Sequence, residues 1–168
     1  MTSLLIVGVL MGAPPTYDHP ITDREDWPEG ITLTTLAHMA CTEAGENWTE
    51  VRAVLSVALN RARNWKQDIY KVITRPRQFS LRGCLDDKNR WRSVKQKHFE
   101  FAEKALNGTL RRPKWMSAKV MWFATETALK KPRKKNGKTY TFYERWWARG
   151  WRPVKKTPVG HIYWKSTK

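Results

Sequence analysis

Apolar residues recur at three- and four-residue steps in two neighbouring segments. The first holds Leu33, Leu36, Ala37, Ala40 and Cys41, and the second Val51, Val54, Leu55, Ala58 and Leu59. This period predicts two helices, each with a buried face. The first runs from Thr32 or Leu33 to Thr42 and ends at Ala44-Gly45, where glycine suits the left-handed C-cap. Thr49 is the expected N-cap of the second, with Glu50 in the first turn facing the helix dipole and Asn60, Arg61, Arg63 and Lys66 at its far end. Asp68 caps a short third helix through Ile69, Tyr70, Val72 and Ile73, which must finish before Pro76. A longer helix starts near Arg92, puts Val94, His98, Phe101, Ala102, Ala105 and Leu106 on one face, and closes at Asn107-Gly108.

After Pro113 the helical period is lost. Residues 120–123, 139–143 and 159–164 form short runs rich in aromatic and β-branched residues, which predicts strands or extended segments. The run from Lys130 to Lys138 reads as an exposed charged connection, and Trp146, Trp147 and Trp151 as part of an Arg-rich loop. Helices first and strands later make this an α+β chain, mainly helical, with a small β region in the C-terminal third. One domain is expected over residues 31–168, behind an N-terminal arm at 1–30. Leu4 to Ala13 is apolar for too few residues to span a membrane. It lacks a basic leader and runs into Pro14-Pro15, so a packed strand, short helix or arm is favoured over a signal peptide. Tyr17 to Gly30 is an acidic lead-in suited to lie against the basic part of the chain.

Composition changes that picture mainly through charge. The 168 residues carry 32 Lys and Arg against 15 Asp and Glu, a net charge of +17. A folded chain with 40% hydrophobic and 12% aromatic residues is no disordered tail. Its excess charge predicts attraction to polyanions: nucleic acid, anionic lipid or anionic envelope polymers. After Lys104 only Glu126 and Glu144 remain as acids, so the C-terminal third is the basic part. Cys41 and Cys84 have no metal-ligand spacing and read as two small buried thiols, with one disulfide open to them in an oxidising compartment.

The candidate chemistry sits between the first two helices, in Cys41-Thr42-Glu43-Ala44-Gly45-Glu46. A carboxyl held at a helix end beside an apolar core tends to keep its proton, as a general acid must. Glu43 is the candidate acid and Glu46 the nearest second carboxylate, although two glutamates near a helix end are more commonly cap or surface residues. Arg75-Pro76-Arg77-Gln78-Phe79-Ser80 is a polar loop around one aromatic, suited to substrate contacts or simply anchored by Phe79. Ten tryptophans exceed what a core of this size uses, so some are expected in a groove, Trp122 among them. The same basic and aromatic texture over 111–165 also suits single-stranded nucleic acid. His98 lies on an apolar stripe and reads as a satisfied core histidine, since no nucleophile motif accompanies it. Walker, dinucleotide, zinc and G-x-S-x-G motifs are absent, so neither a cofactor nor a metal is expected.

Taken in order, Leu36-Ala37, Thr42-Glu43-Ala44-Gly45-Glu46, Val54 to Asn60-Arg61, Arg77-Gln78-Phe79-Ser80 and Val159-Gly160-His161-Ile162-Tyr163 resemble the motifs of the SleB-type cell wall hydrolases. That family includes spore-cortex-lytic enzymes and some phage endolysins. The resemblance covers roughly residues 33–164 and implies a lysozyme-like or resuscitation-factor-like fold. It also implies cleavage of peptidoglycan between N-acetylmuramic acid and N-acetylglucosamine by one glutamate acting as acid and then base. The muramic 6-hydroxyl would attack internally, as in a lytic transglycosylase, or water would attack, as in a muramidase. By that resemblance Glu43 matches the catalytic glutamate, Gln78, Phe79 and Ser80 the cleft loop, and His161 with Tyr163 the terminal motif. The acidic motif is one residue shorter than the commoner form, which puts the place of Glu46 in doubt, and the basic run at 130–138 is not a hallmark of the family. A monomeric, bacteriolytic endolysin is expected, with glycan strands and anionic envelope polymers as partners and neither a specific nucleic acid nor stable membrane insertion. The remaining alternatives are a nucleic-acid-binding module and a membrane-active basic protein.

Overall fold

A computed structural model describes residues 29–76, 78–81 and 94–167. The N-terminal arm through residue 28, Arg77, Cys84, Asp86-Asp87 and the expected helix start near Arg92 lie outside them. The first half is helical, with α1 at Glu29–Ala44, α2 at Trp48–Trp65, α3 at Ile69–Thr74 and α4 at Gln96–Leu106. The second half alternates short elements: β1 (Val120–Thr125), α5 (Glu126–Lys130), β2 (Arg133–Lys135), β3 (Lys138–Tyr140), α6 (Phe142–Ala148), β4 (Trp151–Lys156) and β5 (His161–Ser166). The α+β class and the C-terminal β region are as the sequence predicts.

Helix α2 is the centre of the molecule. Val51, Val54, Leu55 and Ala58 face α1 and α4 in one apolar cluster with Leu36, Ala40 and Ala102. Its other side, Ala53 and Val57, packs with Val120 and Tyr163 of the sheet. A helix buried on two sides has little room for surface chemistry, so its polar residues must find partners inside. Asn60 donates from Nδ2 to the Ser117 and Val120 carbonyls at 3.0 and 2.8 Å, riveting the end of α2 to the start of β1. The helix begins earlier than its composition suggests: Asn47, not Thr49, is the N-cap, its side chain accepting from the Glu50 N–H at 3.1 Å. Trp48 then packs its ring 4.9 Å from His98, which secures the two added residues.

The sheet is antiparallel in the order β1-β5-β4, so β5 is central. Period-2 alternation sends His161 and Tyr163 to one face and Ile162 and Trp164 to the other. The first face meets α2, and on the second Trp164 stacks edge-on with Tyr143 and Trp146 of α6.

Four further expectations need correction. The strand expected over residues 139–143 stops at Tyr140, because Thr141 and Glu144 form a capping box that starts α6. Glu144 accepts from the Thr141 N–H at 2.8 Å while Thr141 accepts from the Glu144 N–H at 3.2 Å. Trp146 and Trp147 are therefore helical, and Trp151 opens β4, not a loop. The exposed run at 130–138 is not an irregular connection: Lys130 ends α5, and Arg133–Lys135 pairs with Lys138–Tyr140 in a hairpin that turns on Asn136-Gly137 with φ of 51° and 73°. Cys41, 2% exposed in the last turns of α1, is disulfide-bonded and not a free thiol. Two cysteines without framework spacing give no pairing signal; tertiary approach decides it.

Candidate active site

The site begins where α1 stops. Gly45 adopts a left-handed φ of 54° and returns its N–H to the Cys41 carbonyl at 2.8 Å, so the chain turns sharply one residue past Ala44. His98 fixes that turn from α4. Its Nδ1 accepts from the Lys95 N–H at 3.1 Å, which leaves Nε2–H to donate to the Gly45 carbonyl at 2.8 Å. The fully buried His98 is thus satisfied on both ring nitrogens, and its role is structural.

Glu43, half-buried on the last turn of α1, points to the loop at 78–81. Its Oε1 accepts from the Ser80 N–H at 2.5 Å. Burial raises its carboxyl above the ordinary carboxylate range, while the Ser80 N–H, His161 and Arg61 each pull the other way. Desolvation prevails, which favours the protonated acid.

Arg61, 1% exposed on α2, holds the loop in place. Its Nε donates to the Met121 carbonyl at 2.7 Å and its Nη1 reaches the Gln78 carbonyl and the Gln78 Oε1, both at 3.3 Å. The guanidinium lies 4.4 Å from the Trp122 ring centre and 4.6 Å from that of Phe79, so cation–π contact offsets part of its lost hydration. Burial pushes it down to about 9, with the Glu43 charge opposing, and it stays a cation at neutral pH. Phe79 packs 6.0 Å from Phe123 of β1. The loop is therefore anchored by Phe79 and pinned by Arg61, and these two fixings aim the Ser80 N–H at Glu43.

Behind this lies a closed polar cluster. Glu50, 1% exposed, accepts at Oε1 from the Tyr163 hydroxyl at 2.7 Å and pairs with His161 Nδ1 at 2.7 Å. Burial, then the adjoining Glu50 carboxylate, holds the Tyr163 phenol far above its usual range, so it remains a donor. Phe123 packs on both rings, 4.9 Å from His161 and 5.4 Å from Tyr163.

Of the residues singled out by sequence, Glu43, Gln78, Phe79 and Ser80 share these contacts directly, and His161 with Tyr163 reach them through Phe123. Trp122 joins through Arg61 and stands half-buried beside Trp65, Trp146 and Trp151, with ring centres 6.2, 5.8 and 6.0 Å away. Glu46 lies apart: it is exposed, and its partner is Lys95 at 4.0 Å.

Sequence reasoning gives Glu50 only a dipole role and places Arg61 only at the far end of α2, in the Val54 to Asn60-Arg61 motif, with no site role for either. A signal exists. They lie eleven residues apart, about three helical turns, on the same stripe as Val54 and Val57. Charges centred on an apolar stripe need buried partners.

A protein-family model described as Cell Wall Hydrolase matches residues 45–163. The match takes in Arg61, the 78–81 loop and the strand that carries His161 and Tyr163, and begins two residues after Glu43. No curated protein and no solved structure matches the chain.

Proposed function

The chain belongs to the cell wall hydrolase family, and on that footing we propose that it cuts peptidoglycan glycan strands between N-acetylmuramic acid and N-acetylglucosamine, with Glu43 as the acid and then the base. The observation that carries this reading is the Glu43 carboxyl, raised by burial at a helix end and held through one oxygen by a loop N–H. With Oε1 accepting from Ser80, Oε2 is the oxygen that carries the proton of the acid form.

Oε2 delivers that proton to the glycosidic oxygen as the C1–O bond breaks, and the N-acetylglucosamine end leaves as an alcohol. His161 and Arg61 then steady the glutamate anion. The muramic 6-hydroxyl attacks C1 and gives its proton to Glu43, closing a 1,6-anhydro ring and restoring the acid. A retaining pair would use a second carboxylate as nucleophile. Glu50, the buried carboxylate nearest in sequence on α2, already receives Tyr163 and pairs with His161, so it is a poor nucleophile and the internal hydroxyl takes that part. On this reading Gln78, Phe79 and Trp122 line the approach, the half-buried Trp122 meeting a pyranose with the surface that Arg61, Trp65, Trp146 and Trp151 leave open.

The same proposal includes bacteriolytic action outside the cytoplasm, as an endolysin. The disulfide at Cys41 suits an oxidising compartment, and among the described residues no helix is long and apolar enough to cross a membrane. The test is digestion of purified peptidoglycan with the soluble fragments identified by mass. Anhydro-muramic ends support the transglycosylase; reducing muramic ends assign water as the nucleophile and make it a muramidase. Cleavage confined to the peptide stems would overturn both.

A further inference from the structure

We infer that the groove between the β2–β3 hairpin and α6 is a docking site for a phosphate-bearing glycan polymer, distinct from the residues around Glu43. Residues 130–156 hold eleven Lys and Arg against one carboxylate, Glu144. The hairpin register concentrates them. Arg133 pairs with Tyr140 and Lys135 with Lys138, so these four side chains share one face. That face meets α6: Arg133 lies 4.1 Å over the Phe142 ring, and Arg145 lies 5.6 Å over Tyr140. Between them is a groove of ~560 Å³ lined by Lys135, Lys138, Thr139, Tyr140 and Arg145, a volume suited to one or two sugar units.

The cations are placed against their own stability. Lys135 and Lys138 face each other directly across the hairpin, where like charges repel. The carboxylate on the groove wall, Glu144, is engaged by the Thr141 hydroxyl and N–H, which hold it below its usual range and commit it to starting α6. An anion between Lys135, Lys138 and Arg145 relieves the repulsion, and Arg145 adds a planar fork of donors matched to phosphate.

The aromatic rings decide among polyanions. Base stacking on single-stranded nucleic acid needs open ring faces. Here the guanidiniums of Arg133 and Arg152 lie 4.1 Å over Phe142 and Trp147, and Trp147 also stacks on Tyr143 at 6.0 Å. An interfacial membrane anchor needs a continuous apolar face beside its cations, whereas six of the eight residues lining the groove carry a charged or polar head group that breaks up such a face. A charge-dense groove whose one lining aromatic, Tyr140, already carries Arg145 over its ring fits a hydrated, phosphate-rich glycan.

The test measures binding, with the Glu43→Gln variant, so its outcome does not depend on the catalytic reading. The probes are a purified polyol-phosphate wall polymer, phosphate-free glycan strands, a single-stranded DNA oligonucleotide and vesicles of anionic phospholipid. K135Q/K138Q/R145Q should weaken binding of the phosphate polymer at least about tenfold, and K135Q/K138Q alone about half as much on a logarithmic scale. The exposed control K71Q/K114Q/K119Q, with the same change in charge, should stay within about threefold. Equal losses in the groove and control variants would overturn the assignment, as would tighter binding of the wild-type groove to DNA or vesicles than to the polymer.

Discussion

Replacing Glu50 tests the buried cluster that stands behind the site. Its Oε1 receives two partners at 2.7 Å, His161 Nδ1 and the Tyr163 hydroxyl, and all three residues are less than a tenth exposed. Glu50→Ala leaves two buried groups without their acceptor, at about 1–3 kcal/mol each. A further small term comes from the space left by the side chain, giving about 3–5 kcal/mol, the range found when one partner of a buried pair is removed. For a chain of this length each kcal/mol lowers Tm by about 2–4 °C, so a fall on the order of 10 °C is expected. Glu50→Gln keeps an oxygen acceptor and the volume but loses the charge, and should cost only about 1–2 kcal/mol. Urea unfolding followed by circular dichroism reads both. A cycle with Tyr163→Phe isolates the hydrogen bond: Tyr163→Phe should cost about 1–2 kcal/mol in the wild type and clearly less beside Glu50→Ala. The reasoning is refuted if Glu50→Ala unfolds within about 1 kcal/mol of wild type, or if the two substitutions add to within ~0.3 kcal/mol.

Three further outcomes follow from the same structure. Glu43 has a folded-state pKa raised above its ordinary value of 4.5, so the folded chain holds this proton more tightly than the unfolded one. Its stabilising contribution is complete below the unfolded pKa and is lost as pH rises through the folded pKa. Urea midpoints should therefore show Glu43→Gln equal to wild type near pH 4 and at least as stable at pH 8; a variant less stable at pH 8 than at pH 4, relative to wild type, would contradict this. Arg61→Lys cannot serve the Met121 and Gln78 carbonyls together. It should lose about 2–4 kcal/mol and lower activity through a displaced 78–81 loop, whereas unchanged thermal unfolding would remove Arg61 as the loop's anchor. Reduction of the Cys41 disulfide should cost about 2–4 kcal/mol, read by unfolding with and without a phosphine reductant.

Some of this is legible in the sequence, for identifiable reasons. The spacing of Leu36, Ala40, Val54 and Ala58 reports the helical core directly, because one period serves both the pattern and the packing. Glu43 and Gly45 mark a helix end by composition alone, and His98 on an apolar stripe reads as structural, as its two ring contacts bear out. The C-terminal third is harder. Capping by Thr141 and Glu144 cuts short an aromatic run that looks like a strand, even though the Thr-x-x-Glu spacing is present. The partners of Glu50 lie 111 and 113 residues away, and no local period carries information over that distance. Arg61 reads as one of several polar residues at the end of α2 until Trp122, Phe79 and Gln78 close around it.

The most direct test of the central claim is the initial rate of soluble glycan release from purified peptidoglycan by wild type and Glu43→Gln, each first shown to be folded by urea unfolding. Loss of one positioned acid predicts a fall of about 10²- to 10⁴-fold with no loss of stability at neutral pH. Retention of more than about a tenth of the wild-type rate by a folded Glu43→Gln would contradict the account, since general acid catalysis would then reside elsewhere.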